Sequence, residues 1–232
     1  MSTSEIDFES NGVKWKSKIE EDFSGYNIGL SHGMASIVLF LCRIIENGFK
    51  ETKIKDLLRK TCNYILSQEI DQKHYGSFYP SFSKESSIPL TGSRLAWCYG
   101  DLGVAYSIFR TGEVLKSQKL RDKGLNVLLE STNRKNNVYE AGICHGCMSM
   151  VLIYRRMYLK TNVQSFSDSV DYWLQESIKF SCFEDGLAGY KSYYDKNWIP
   201  DYSLLSGISG IGLNYLTYLN DNVGNWDEMF LL

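Results

Sequence analysis

One short pattern recurs four times and constrains the fold more than any other feature of the chain. It reads Gly33-Met34-Ala35-Ser36-Ile37, then Gly100-Asp101-Leu102-Gly103-Val104, Gly146-Cys147-Met148-Ser149-Met150 and Gly207-Ile208-Ser209-Gly210-Ile211. Each begins with a glycine, has a second small residue three positions on, and opens an apolar run of helical period. Small residues three apart lie near one helical face, where they let a neighbouring helix come close. Each interval between motifs can hold two helices and a connection. The expected architecture is a set of helical hairpins stacked side by side, in an array or a ring.

The rest of the chain fits that scheme. Apolar residues at three- and four-residue steps predict helices over 28–45, 54–69, 100–111, 116–131, 146–159, 167–180 and 207–220. Only 3 prolines stand against 19 glycines, which leaves long helices unbroken. Residues 70–93, with Gly76, Pro80, Pro89, Gly92 and many serines, read as a long loop of the kind that carries function. Residues 181–205, rich in glycine and tyrosine and containing Pro200, read as a second. No alternating strand pattern competes, so the expected fold class is all-α. Residues 1–25, polar and mixed in charge, read as a leader or the remnant of an upstream element, and 26–232 as the main domain.

Composition removes several classes of function. Lys plus Arg (25) nearly balance Asp plus Glu (27), giving a net charge of −2, so no basic surplus exists to neutralise nucleic-acid phosphates. The longest apolar stretch, Ile37 to Cys42, is far too short for a membrane span. The polar, acidic start lacks a basic and an apolar region, so no signal peptide is expected and the chain reads as cytoplasmic. In that compartment 6 cysteines suggest metal ligands or buried thiols rather than disulfides.

The residues just before the motif glycines carry the chemistry. They are Ser31-His32, Cys98-Tyr99, Cys144-His145 and Leu205-Ser206. Two of the 3 histidines and two of the 6 cysteines therefore sit at helix mouths, where the helix dipole and nearby donors favour a thiolate. If equivalent positions converge on the axis of a ring, Cys98, Cys144 and His145 supply two sulfurs and one nitrogen. That donor set, with a fourth position open, suits a catalytic zinc. From spacing alone, the same cysteines read equally as small buried hydrophobes. Cys42, Cys62 and Cys182, in helical or apolar surroundings, are expected to be of that kind, and Cys147 to be packing. His74, in a polar loop, is expected to be solvated.

These elements resemble the lanthionine synthetase C family, the LanC-like cyclases. Trp97-Cys98-Tyr99-Gly100-Asp101-Leu102-Gly103 and Cys144-His145-Gly146 resemble its zinc motifs, and Gly29-Leu30-Ser31-His32-Gly33 its Gly-x-x-His-Gly element. Residues 203–212 resemble its last repeat, and Trp226-Asp227-Glu228 its C-terminus. The resemblance implies an α/α toroid, here a partial one, with zinc on its axis. It implies addition of peptide cysteine thiols to dehydroalanine or dehydrobutyrine, forming the thioether rings of a lantibiotic-type peptide. By position, Cys98, Cys144 and His145 would ligate zinc, His32 would act as acid/base, and Arg94 and Tyr99 would be active-site residues.

The implied partners are the dehydrated precursor peptide, with the lantibiotic dehydratase and transporter of a membrane-bound modification complex. The family's ring is larger than the four units counted here, and no residue maps to its acid/base-linked aspartate. Asp7 and Asp22 lie upstream in unmatched surroundings. The expectation is thus the C-terminal portion of a cyclase, with apolar flanks that favour association with another chain. The alternatives are a catalytically incomplete, zinc-bearing module that binds peptide or partner, and a plain helical scaffold. A glycoside-hydrolase toroid would need paired acids at the helix mouths, where only Asp101 stands.

Overall fold

The computed structural model describes residues 4–17, 24–49, 51–135, 138–220 and 223–232. Contacts divide the chain into two compact units, Met1–Arg94 with Cys98–Ser131, and Leu95–Trp97 with Thr132–Leu232. Asp22 lies outside the described residues.

The first unit holds β1 (Ser4–Asp7), β2 (Gly12–Trp15), α1 (Met34–Glu46), α2 (Thr52–Ser67), the single turn α3 (Gln72–Tyr75), α4 (Asp101–Leu115) and α5 (Gln118–Ser131). α1 packs on α2, and α4 on α5 and α1. The connection between α4 and α5 is two residues long, because Lys116 takes the left-handed conformation (φ 55°) and ends α4. So short a link leaves α5 no course but back along α4. The two backbones come close at Gly112 and Gly124. A Cβ on Gly112 would stand 2.4 Å from the Arg121 amide, and one on Gly124 2.5 Å from that of Phe109. The helix α4 is buried along most of its length, and its internal hydroxyls are satisfied locally: Ser107 Oγ donates to the Val104 carbonyl and Thr111 Oγ1 to that of Ser107.

Two strands precede these helices, and the sequence pattern did not show them. β1 and β2 pair antiparallel, with Glu5 opposite Lys14 and Ile6 opposite Val13, and β2 packs on α2. Lys14 is buried, and its ammonium is held by Asp7 at 3.2 Å and Glu85 at 2.7 Å, above the rings of Tyr26 and Tyr64. The buried cation is tolerated because each of its faces has a partner. Residues 70–93 form the expected long loop apart from α3. The loop is tied to α4 by Asp101, a buried carboxylate that accepts the amides of Phe78 (3.0 Å) and Tyr79 (2.8 Å).

The second unit holds α6 (Cys147–Thr161), α7 (Gln164–Ile178), β3 (Ser192–Tyr194), β4 (Asn197–Ile199), α8 (Ile208–Leu219) and a closing 3-10 turn, Trp226–Phe230. α6 packs on α7 and α8. Asn162, with φ 54°, ends α6 as Lys116 ends α4. The last turn is fixed by a bidentate pair between Arg156 and the buried Asp227, and by Trp97 Nε1, which donates to the Phe230 carbonyl. Here too a short hairpin, β3–β4, stands where only a loop was read. Both hairpins are strands of three or four residues, too short for an alternating pattern to show.

The all-α expectation therefore holds, with two small hairpins added. The predicted helices are all present, but those at the motifs begin at or after the glycine, so Ile28 and Leu30 are buried loop residues rather than part of α1. Among the described residues, no helix is long and apolar enough to cross a membrane.

Candidate functional site

The four motif glycines are N-caps without a side-chain cap. The amides that usually stay unpaired at a helix start are met by backbone instead. Met34 and Ala35 donate to the carbonyls of Asn27 and Ile28, Cys147 and Met148 to those of Glu140 and Ala141, and Ile208 to that of Asp201. Every one of these bonds spans seven residues, so the loop before each helix curls over its mouth. The motif glycine is where the loop passes closest. A Cβ there would stand 2.4 Å from the Asn27 carbonyl oxygen at Gly33, 2.1 Å from Arg94 at Gly100, 2.6 Å from Glu140 at Gly146 and 2.2 Å from Asp201 at Gly207. This corrects the sequence-based account of the first small residue. It makes room for its own loop, not for a neighbouring helix.

A second repeated feature links consecutive mouths within each unit. The Cys98 carbonyl accepts the amides of Leu30 (2.9 Å) and Ser31 (3.1 Å), and the Leu205 carbonyl accepts those of Ile143 (2.8 Å) and Cys144 (2.9 Å). The loop that bears His32 is thus pinned to the backbone of Cys98, and the loop that bears Cys144 and His145 to that of Leu205. Ser149, on the first turn of α6, receives the amide of Trp97, the residue before Cys98, and its hydroxyl donates to the Cys144 carbonyl at 3.3 Å. The second small residue of the third motif is therefore a polar tie.

In the first unit, Cys98 is buried, Tyr99 half-buried and His32 exposed. The rings of His32 and Tyr99 have centroids 6.0 Å apart, and Tyr99 stacks obliquely on Phe82 at 5.9 Å. His32 and Tyr99 both line a cavity of about 680 Å³, with Trp15, Asn27, Ser36 and Ile37 among its other walls. Arg94 has an exposed side chain and is not among the described residues lining this cavity. In the second unit, Cys144 is half-buried, and the His145 side chain is 34% exposed. His145 Nε2 stands 3.2 Å from Glu140 Oε1. Glu140 is buried, and its other oxygen accepts the amide of Tyr193 on β3 at 3.3 Å. His145 and Glu140 line a cavity of about 360 Å³ together with Tyr193, Tyr194, Ile199 and Ser206.

The remaining cysteines separate by burial. Cys42, Cys62 and Cys147 are buried, and desolvation pushes each thiol up to about 12, which makes them inert packing groups, as expected. Cys182 is exposed, against expectation. It lies beyond the end of α7, where the chain has left the helix and no neighbour covers it. His74 is solvent-exposed as expected.

Sequence reasoning passed over Glu140, Asp101 and Ser149 as working residues. Glu140 was findable. It stands six positions before Gly146, as Asn27, Arg94 and Asp201 stand before Gly33, Gly100 and Gly207. Extending the motif upstream by that distance singles it out as the only carboxylate with a histidine in its own loop.

Comparison with known proteins places this architecture. The model of the family described as lanthionine synthetase C-like protein matches residues 2–231. The nisin biosynthesis protein NisC of Lactococcus lactis subsp. lactis is 24% identical over 151 residues, which is 62% of this chain and 36% of that protein. The solved structure of a nisin cyclase superimposes with a TM-score of 0.73 at 21% identity, covering 90% of this chain and 50% of that one. The chain thus spans half or less of the length of these relatives. The structural likeness bears out the fold class read from the sequence, an α/α toroid represented in part. The chain belongs to the lanthionine synthetase C-like family.

Proposed function

We propose that this chain carries the zinc centre and part of the acid–base machinery of a lanthionine cyclase, with residues 26–232 as the cyclase portion and residues 1–25 as its lead-in. The substrate is a dehydrated precursor peptide. A cysteine sulfur of that peptide adds to the β-carbon of a dehydroalanine or dehydrobutyrine, and a proton is delivered to the α-carbon of the resulting enolate. The product is a thioether ring of a lantibiotic-type peptide. The dehydratase and transporter of the same modification complex are the proposed partners.

The observation that carries this reading is the Cys144–His145 pair at one helix mouth, in a chain of this family. By their places beside the motif glycines, Cys98, Cys144 and His145 are the proposed ligands, and two thiols with one imidazole suit zinc with a position left for substrate. Cys98 is buried, and the other two donors are accessible yet held. Cys144 is only half-buried, while its backbone is fixed by Leu205 and Ser149. Zinc, when bound there, lowers the pKa of a coordinated thiol, so that the peptide sulfur is presented as the nucleophilic thiolate. His32, exposed at the cavity wall, is the proposed proton donor to the α-carbon. Tyr99, across the same cavity, orients the reacting residue. Arg94 is the proposed source of positive charge for the enolate oxygen.

The test is incubation of the zinc-loaded chain with dehydrated precursor peptide, counting free peptide thiols by alkylation and mass spectrometry. Loss of alkylatable thiols, absent in a His32→Ala variant, supports the reading. Peptide binding with every thiol still alkylatable would instead support a binding module.

A further inference from the structure

We propose that Glu140 is the positioning residue of His145: its buried carboxylate accepts the proton on Nε2 and so leaves Nδ1 as the nitrogen that binds the metal. The inference rests on the reading of His145 as a ligand and adds a residue to it.

The argument starts from burial. Glu140 is 3% exposed, and a carboxylate taken out of water at that depth persists only with partners. Oε2 has the Tyr193 amide. Oε1 is fully buried and makes no well-aligned hydrogen bond, yet His145 Nε2 lies 3.2 Å away. The imidazole, whose side chain is one-third exposed, is the group within reach of this oxygen.

The repeat gives an independent reason. At the equivalent position of the first mouth, Asn27 turns onto its own loop and accepts the Gly29 amide at 2.8 Å. At the fourth, Asp201 does the same with the Ser203 amide at 2.7 Å. Each of these short side chains closes a turn two residues on. Glu140 is one methylene longer than either. It spans its loop to reach the imidazole five residues ahead on one side and β3 on the other. Only at the mouth that bears a histidine beside the motif glycine in this unit is the short acceptor replaced by a long, charged one.

The chemical consequence follows from the imidazole itself. A neutral ring has one N–H and one lone pair, and the group that accepts the N–H decides which nitrogen is the ligand. A carboxylate in that role fixes the ring orientation and raises its basicity as a ligand. Because Tyr193 holds the carboxylate from β3, the hairpin sets the direction of His145 through Glu140.

The experiment compares wild type with Glu140→Gln and Glu140→Ala by chelator competition for zinc, with far-UV circular dichroism confirming the fold. Zinc affinity should fall about 10- to 100-fold in Glu140→Ala and by less in Glu140→Gln, whose amide oxygen still accepts. Nitrogen-15 NMR of the zinc-loaded wild type should show Nδ1 bound and a proton retained on Nε2. Unchanged affinity in Glu140→Ala, or metal on Nε2, overturns the proposal while leaving the zinc reading intact. A metal-free comparison covers the other failure. Solvent exchange of the His145 ring proton should be slower in wild type than in Glu140→Ala, and equal exchange overturns the positioning role even if zinc is never bound.

Discussion

Gly33 lies against the backbone of Asn27 so closely that a Cβ built on the glycine would stand 2.4 Å from the Asn27 carbonyl oxygen. The backbone at Gly33 is extended, with φ −134°, so the glycine is required by space and not by conformation. The colliding atom is a carbonyl that itself accepts the Met34 amide, and it cannot move without uncapping α1. Gly33→Ala should therefore destabilise the fold by about 1–3 kcal/mol, the usual cost of overpacking. Gly212, on α8, has open space around it, and Gly212→Ala should stabilise by about 0.5–1 kcal/mol. Urea unfolding of the two variants checks the contrast, which equal effects would contradict.

Asp101 anchors the loop of residues 70–93. Asp101→Ala leaves the amides of Phe78 and Tyr79 without their acceptor beside a buried helix start, at a cost of roughly 1.5–3 kcal/mol. Hydrogen exchange should accelerate first at those two amides, ahead of the α4 interior. Uniform acceleration across the unit would mean that Asp101 serves global stability and not this anchor.

The cysteines should sort by reactivity. With Cys42, Cys62 and Cys147 pushed up to about 12 by burial, alkylation of the native, metal-free chain should label Cys182 first and leave those three unlabelled until the chain unfolds. Peptide mapping after timed exposure to iodoacetamide reads the order. Early labelling of any of these three would contradict the packing described here.

Acid should weaken the N-terminal hairpin. The Ser10 hydroxyl and amide and the Lys14 ammonium outweigh desolvation and hold the Asp7 carboxyl below its ordinary value. A carboxyl lowered in the folded state adds stability above its unfolded pKa, and that stability is lost as pH falls through the folded value. Asp7→Asn should thus be less stable than wild type at neutral pH, with the difference shrinking through the acid range below the ordinary carboxylate pKa. Parallel unfolding curves at pH 7 and pH 3 test the sign. A gap that widens in acid would contradict it.

Much of the fold is legible because apolar periodicity is a strong signal in long helices: α1, α2 and α4 to α8 all fall where the pattern puts them. The two hairpins are not, since their strands place only a few residues on each face and are held through the packing of β2 on α2 and the bonds of β3 to Glu140 and Ser206 rather than by their own pattern. The candidate ligands stand out because cysteine and histidine are rare and fall beside a repeated glycine. Glu140 did not, because a carboxylate six residues upstream looks like an ordinary loop residue until the loop is seen to curl back over the helix. Cys182 was misjudged for the opposite reason: its apolar neighbours in sequence, Phe180 and Phe183, do not enclose it in space.

The central proposal is that Cys98, Cys144 and His145 are the ligands of one zinc ion. The direct measurement is metal content by mass spectrometry of the purified chain after equilibration with zinc and removal of excess at neutral pH. One zinc per chain is expected in wild type, lost on Cys98→Ser or Cys144→Ser substitution with the helical content unchanged. Wild type without zinc, or zinc retained when both cysteines are replaced, would contradict the account.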